Sequence, residues 1–277
     1  MAIKKKNSLS QIIILIVLAI IAISTIYPIV FMAITGFKEK VEYMTNIFGL
    51  PKGLYFKNFI ISLDKFNLPI LTRNSMIVTV SSILISTLVT SMAAFAFAKL
   101  RFKGSNTIFT LVIACMMIPG QILMIPVYLL MSKLGLISNY LSLILFYVTT
   151  SIPFATFLLT VNCRSIPDEV LESAEIDGAH PANIYKSIIL PMMRPSIMTL
   201  VILNFLTFWN ELIYSMLFLQ TEATRTLTVA VATVMGRYVT NMPLLMTGLL
   251  INSIPTILVF IIFQKYISKG ITVGAIK

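Results

Sequence analysis

Apolar residues in this chain gather into six long runs separated by short polar stretches. Each run approaches the roughly 20 residues a helix needs to cross a bilayer's hydrocarbon core. They read as Gln11–Ile34, Asn74–Ala98, Thr107–Leu130, Asn139–Asn162, Ile197–Leu219 and Leu244–Tyr266. Composition agrees. Of 277 residues, 58% are hydrophobic and only 11% charged, with a mean hydropathy of +0.95. A soluble domain carries about 25% charged residues, so this chain lacks the ionic groups to clothe a water-soluble surface. The expected fold class is all-α, a polytopic membrane protein with six transmembrane helices forming one transmembrane domain over residues 1–277.

Charge orients the runs. The first follows Lys4-Lys5-Lys6 but is longer than a signal-peptide core and lacks a clear cleavage site, so it reads as an uncleaved helix. With the N-terminus inside, twelve of the 21 basic residues fall on the cytoplasmic side. The other nine are external, six of them in the single loop Thr35–Arg73. The asymmetry favours N- and C-termini that are both cytoplasmic in a bacterial plasma membrane. The net charge of +11 therefore reads as membrane orientation, with no nucleic-acid partner.

The same inventory excludes most chemistry. One histidine, His180, and two cysteines, Cys115 and Cys163, form no cluster with metal-ligand spacing. No glycine is followed by lysine, which removes the phosphate-cradling loop of an ATPase, and no Gly-x-Ser-x-Gly elbow occurs. The expectation is a chain with no catalytic residues, no metal and no cofactor. Three kinds of membrane protein remain to be compared: a subunit driven by an external motor, an ion-gradient transporter, and a membrane-embedded enzyme. The third lacks its catalytic cluster. The second commonly shows paired repeats and charged relays within the membrane; here there is no clear repeat and one carboxylate inside a run.

Prolines interrupt several runs, at Pro28, Pro119 with Pro126, Pro153, and Pro255, and the second run is rich in small residues such as Ser82, Ser86, Ser91, Ala94 and Ala98. Both features suit a closely packed, bendable bundle. Glu211 is the only carboxylate inside a run. Such groups are expensive in a membrane and face a cavity or a partner. On a continuous helix Asn204, Thr207, Phe208, Glu211 and Ser215 share one face, a candidate substrate pathway suited to sugar hydroxyls and the apolar faces of sugar rings. A bridge from Asn210 and Glu211 to a neighbouring helix is the alternative.

The polar stretch 163–195 is the longest cytoplasmic segment. Pro167 suits a helix start, and Asp168, Glu169 and Glu172 follow in its early turns, where carboxylates favour the positive end of the helix dipole. At helical spacing Asp168, Glu172 and Glu175 share one side while Val170, Leu171 and Ala174 share another. A short amphipathic helix is predicted, turned by Asp177-Gly178 and followed by a second helical stretch from Pro181 to Leu190 that stops at Pro191.

The order Glu172-Ser173-Ala174, three residues, Gly178, nine residues, Ile188-Ile189-Leu190-Pro191 resembles the coupling-loop motif of ABC importer permeases. That motif runs Glu-Ala-Ala, three residues, Gly, nine residues, Ile-x-Leu-Pro, and Ser173 is the one departure. Trp209-Asn210-Glu211 is similar to a Trp-Asn-acid run in permeases of the maltose type. The ending Gly270-Ile-Thr-Val-Gly274-Ala-Ile-Lys277 resembles their tail.

The resemblance implies a type I ABC importer permease fold with 163–195 as its coupling loop. Glu172, Ser173, Ala174, Asp177, Gly178 and Pro191 would serve ATPase coupling. Its implied partners are two ATPase subunits that hydrolyse ATP, a second permease chain in a heterodimer, and an extracytoplasmic sugar-binding protein. The cargo would be an oligosaccharide of the multiple-sugar or α-galactoside type; an ABC permease for a non-sugar solute is the alternative. An external motor is physically apt. Moving a two-state barrier from 1:99 to 99:1 needs about 5.5 kcal/mol of differential interaction, and this chain has no nucleotide site to supply it.

Overall fold

A computed structural model describes residues 9–65, 67–100, 102–233 and 241–272, mostly helical, with no strand among the described residues. Lys4, Lys5, Lys6, Arg101, Arg237 and the tail Val273–Lys277 lie outside the described residues, so their assigned side of the membrane and the tail motif have no structural counterpart. The helices are α1 (Leu9–Gly36), α2 (Lys40–Thr45), α3 (Lys57–Lys65), α4 (Leu68–Lys99), α5 (Ser105–Ala114), α6 (Met124–Lys133) and α7 (Tyr140–Arg164). They continue with α8 (Asp168–Ile176), α9 (Pro181–Ile184), α10 (Leu190–Met192), α11 (Arg194–Trp209), α12 (Ile213–Phe218), α13 (Leu227–Thr233) and α14 (Met242–Thr272).

Four helices are long and apolar enough to cross a membrane singly, within Gln11–Gly36, Leu68–Lys99, Tyr140–Arg164 and Met242–Lys265. Two bent pairs bring the number to six if each is one span: Ser105–Met117 with Gly120–Lys133, bent by 88°, and Pro181–Met192 with Arg194–Trp209, bent by 73°. Prolines explain some of this difference from six plain helices. Pro28, Pro153 and Pro255 sit inside unbroken helices. Pro119 does not. Ile118 before it is extended, with φ −83° and ψ 113°, because proline's ring disfavours helical geometry in the preceding residue. Pro126 falls in the first turn of α6, where no helical bond is lost.

The chain divides into two compact units. One comprises Met1–Leu68 and Val231–Ser253. Here α1 is exposed along its apolar window, and its buried contacts begin at its C-terminal end. Gly36 passes so close to α14 that an added Cβ would stand 3.1 Å from the Thr247 hydroxyl. The Asn58 amide donates to the Gly36 and Lys38 carbonyls at 2.9 and 2.8 Å, and the Phe37 ring packs on Phe59 at 4.8 Å. Lys38 is fully buried, its ammonium donating to the Asn46 and Ile47 carbonyls at 2.7 and 2.9 Å.

The other unit, Pro69–Ala230 with Ile254–Lys277, holds both candidate sites. Helices α4, α7 and α11 supply its interior, tied by Asn204, whose amide reaches Ser86 of α4 at 3.2 Å and Ser151 of α7 at 3.0 Å. Asn74 of α4 clamps the loop before α13 by donating to the Ala223 and Arg225 carbonyls, both at 2.9 Å.

Lys38→Met keeps the buried stem but leaves two loop carbonyls without their charged donor. It is expected to cost about 1–3 kcal/mol locally, read as faster hydrogen exchange over residues 40–56 with α4 and α7 unchanged. Equal exchange in both proteins would contradict this role.

Candidate functional site

The predicted amphipathic helix is α8, residues Asp168–Ile176, beginning after Pro167 with Asp168 and Glu169 in its first turn. Its inner side is apolar. Leu171 is buried in a cluster with Phe95 of α4, Leu159 and Cys163 of α7, and Ile184, Ile189 and Met193, with Val170 and Ala174 packed against it. Its outer side is Glu172, Ser173 and Glu175, all exposed, together with Ile176, which is 86% exposed. Gly178 adopts φ +79°, the left-handed conformation that a side chain would strain, so the residue type there is dictated by the turn. The Ala179 amide then donates back to the Ala174 carbonyl at 2.9 Å. Asp177 caps the end of α8 and is exposed.

The second stretch does not stop where the proline suggests. His180 caps α9, its Nδ1 accepting from the Ala182 amide at 3.3 Å. A π-helical turn follows over Tyr185–Ile189, and helical turns run through Pro191 to Met192. Pro191 follows directly on this π-helical turn, within the same helical run Pro181–Met192. The sharp bend comes between Met192 and Arg194.

Sequence reasoning missed what holds α8 in place. Lys99, at the end of α4, has a side chain only 4% exposed and donates to the Ile166 carbonyl at 2.5 Å and to Asp168 at 2.6 Å. The Tyr185 hydroxyl meets Ser91 of α4 at 2.8 Å. Beside α8 lies a cleft of about 1070 Å³ whose charged lining includes Lys99, Lys103, Arg164, Asp168, Glu172 and Glu175. The signal was present in the sequence as Ser91, Phe95 and Lys99, spaced four residues apart.

The second candidate site departs further from expectation. Its five residues do not share a helix face, because α11 ends at Trp209 and α12 begins at Ile213, leaving Glu211 in the break. Glu211 Oε1 accepts from the Tyr214 amide at 2.8 Å, and Oε2 from the Ser215 amide at 2.8 Å. The Ser215 hydroxyl and the Tyr147 hydroxyl of α7 each reach Oε2 at 3.1 Å. The carboxylate thus caps α12, whose first amides have no intrahelical partner. The Phe208 ring stacks on Tyr147 at 4.7 Å, joining Phe208, Glu211 and Ser215 in one cluster. Asn204 is committed to Ser86 and Ser151, and Thr207 is exposed with its hydroxyl bonded to the Leu203 carbonyl at 2.9 Å. Tyr214, unforeseen, donates to the Gly120 carbonyl at 2.6 Å in the break after Pro119 and stacks on Phe146 at 3.8 Å. Among the described residues no three His, Cys, Asp or Glu side chains converge as a metal site.

Residues 86–273 match the model of the family described as binding-protein-dependent transport system inner membrane component. The chain belongs to this family. It is 32% identical to the arabinooligosaccharides transport system permease protein AraQ of Halalkalibacterium halodurans over 263 residues, 94% of each chain. It is 31% identical to the melibiose/raffinose/stachyose import permease protein MelC of Bacillus subtilis over 260 residues, again 94% of each. A chain in the crystal structure of a bacterial ABC transporter involved in the import of the acidic polysaccharide alginate superposes with a TM-score of 0.81 at 21% identity. That superposition covers 96% of this chain and 99% of the other. The fold is that of an ABC importer permease, and the protein is a multi-pass membrane transport component rather than an enzyme.

For this permease the capping geometry makes a sharp prediction. Glu211→Ala strips four donors of their acceptor and is expected to destabilise the protein by about 2 kcal/mol, seen as a lower thermal midpoint in detergent. Glu211→Gln retains one accepting oxygen and should fall between. A midpoint unchanged in both would remove the cap.

Proposed function

We propose that this chain is the permease subunit of an ATP-driven sugar importer, passing an oligosaccharide inward by alternating access while α8 docks on a separate ATPase. The observation that carries the reading is the two-sidedness of α8. Leu171 anchors it to the bundle, while Glu172, Glu175 and the uncovered Ile176 face outward beside a cleft with room for a partner. An exposed carboxylate such as Glu172 suits charge-assisted hydrogen bonds from a basic partner. Ser173 and Ala174 are small enough for close approach, Asp177 and Gly178 turn the chain back, and Pro191 begins the turn that leads into α11.

Sugar as cargo rests on the relatives, whose names carry arabinooligosaccharides, melibiose, raffinose and stachyose, and on the aromatic and hydroxyl groups around Glu211. Of the proposed pathway residues, Thr207 is exposed and Glu211 half-buried, while Phe208 and Ser215 are buried behind Glu211 and would act by holding it. Asn204, buried between α4 and α7, would contribute only through the helices it ties together. The remaining partners are a second, different permease chain and an extracytoplasmic sugar-binding protein in a bacterial plasma membrane. Both termini are cytoplasmic in this reading, as the placement of basic residues favours.

A tagged chain solubilised gently is expected to carry with it an ATPase, a second permease and a binding protein. In proteoliposomes, uptake of radiolabelled raffinose or arabinotriose should need ATP and survive an ionophore. Glu172→Arg should release the ATPase and stop uptake. Uptake that runs on an ion gradient without ATP would overturn the reading.

A further inference from the structure

Three residues on one stripe of α4 all touch the coupling loop. Ser91, Phe95 and Lys99 stand four apart, which stacks their side chains along one side of a helix. Ser91 meets the Tyr185 hydroxyl at 2.8 Å, and Phe95 packs on the Tyr185 ring with centroids 5.7 Å apart. Lys99 reaches the Ile166 carbonyl and Asp168, straddling the start of α8. These contacts differ in kind from those of α7 and α11. Those two helices are joined to the loop by the chain itself, whereas α4 follows α8 only through side chains.

We propose that this stripe is the contact through which displacement of α8 reaches α4, with Lys99 as the positioning residue that makes the two move together. The inference rests on the reading of α8 as an ATPase-docking helix. Lys99 is suited to the task because its stem is buried against the bundle while its ammonium grips the first turn of α8 from two sides. Asp168 is 69% exposed, so the ion pair adds little to overall stability. Its worth lies in directional coupling. Tyr185 opens the π-helical turn Tyr185–Ile189, so the second grip falls where the loop's helical geometry changes. Such turns are frequent at functional sites.

The test uses the complete complex in proteoliposomes, with radiolabelled raffinose and arabinotriose as probes. Both uptake and ATP hydrolysis are measured. Lys99→Met should keep the ATPase bound and hydrolysing, yet lower sugar moved per ATP by about fivefold, the lower end of ordinary coupling strengths. Lys99→Arg should restore the ratio, which a merely structural loss would not require. Tyr185→Phe and Asp168→Asn are smaller changes that carry the test should Lys99→Met fail to fold, and each should lower the ratio in the same direction. An unchanged ratio in these variants overturns the inference. Glu172→Arg is measured alongside: if that variant keeps its ATPase and full uptake, it is the docking reading that falls instead.

Discussion

A peptide group carried into hydrocarbon without a hydrogen-bond partner costs several kcal/mol. Among the described residues, several departures from plain helix, within the apolar runs and in the loops between them, show a polar side chain taking up the backbone groups left over. Where α11 stops short of α12, the Glu211 carboxylate collects the Tyr214 and Ser215 amides. Where the chain breaks at Pro119, the Gly120 carbonyl receives the Tyr214 hydroxyl. At the loop before α13, Asn74 takes two carbonyls, and after α1 both Asn58 and Lys38 do the same. The recurring device is one polar side chain from a rigid helix or its flank serving two backbone groups of an irregular segment. It allows a membrane bundle to contain broken helices.

The α8 region answers a different problem. A helix of nine residues is too short to persist alone, so its shape is borrowed from what it packs on. Leu171 within the α4–α7 cluster and Lys99 at its first turn hold one side firmly, which leaves the other free to present charge and the bare Ile176. The helix is held on one side and exposed on the other. The family match describes such chains as inner membrane components of binding-protein-dependent transport systems.

How much of this could be read from residues alone varies with the kind of feature. The long apolar helices, the start of α8 after Pro167 and the turn at Gly178 were all legible, because each depends on local properties: hydropathy over a window, a fixed φ, tolerance of a left-handed backbone. The fate of individual prolines was not. Pro119 breaks its helix and Pro153 does not, although the two look alike in sequence. The wheel drawn through Asn204, Thr207, Phe208, Glu211 and Ser215 failed for the same reason, since it assumed a helix that continues past Trp209.

By itself, then, the sequence determined that the chain crosses a membrane several times and that it carries a short amphipathic helix between α7 and α11. Only the tertiary structure decided where the helices break and which polar groups close those breaks. It alone showed that Tyr147, sixty-four residues away in the chain, completes the environment of Glu211, and that Lys99 holds α8 from α4. The reason is physical. Hydropathy and backbone preference act between near neighbours, whereas the partner that makes a helix end tolerable in a membrane comes from wherever packing brings it.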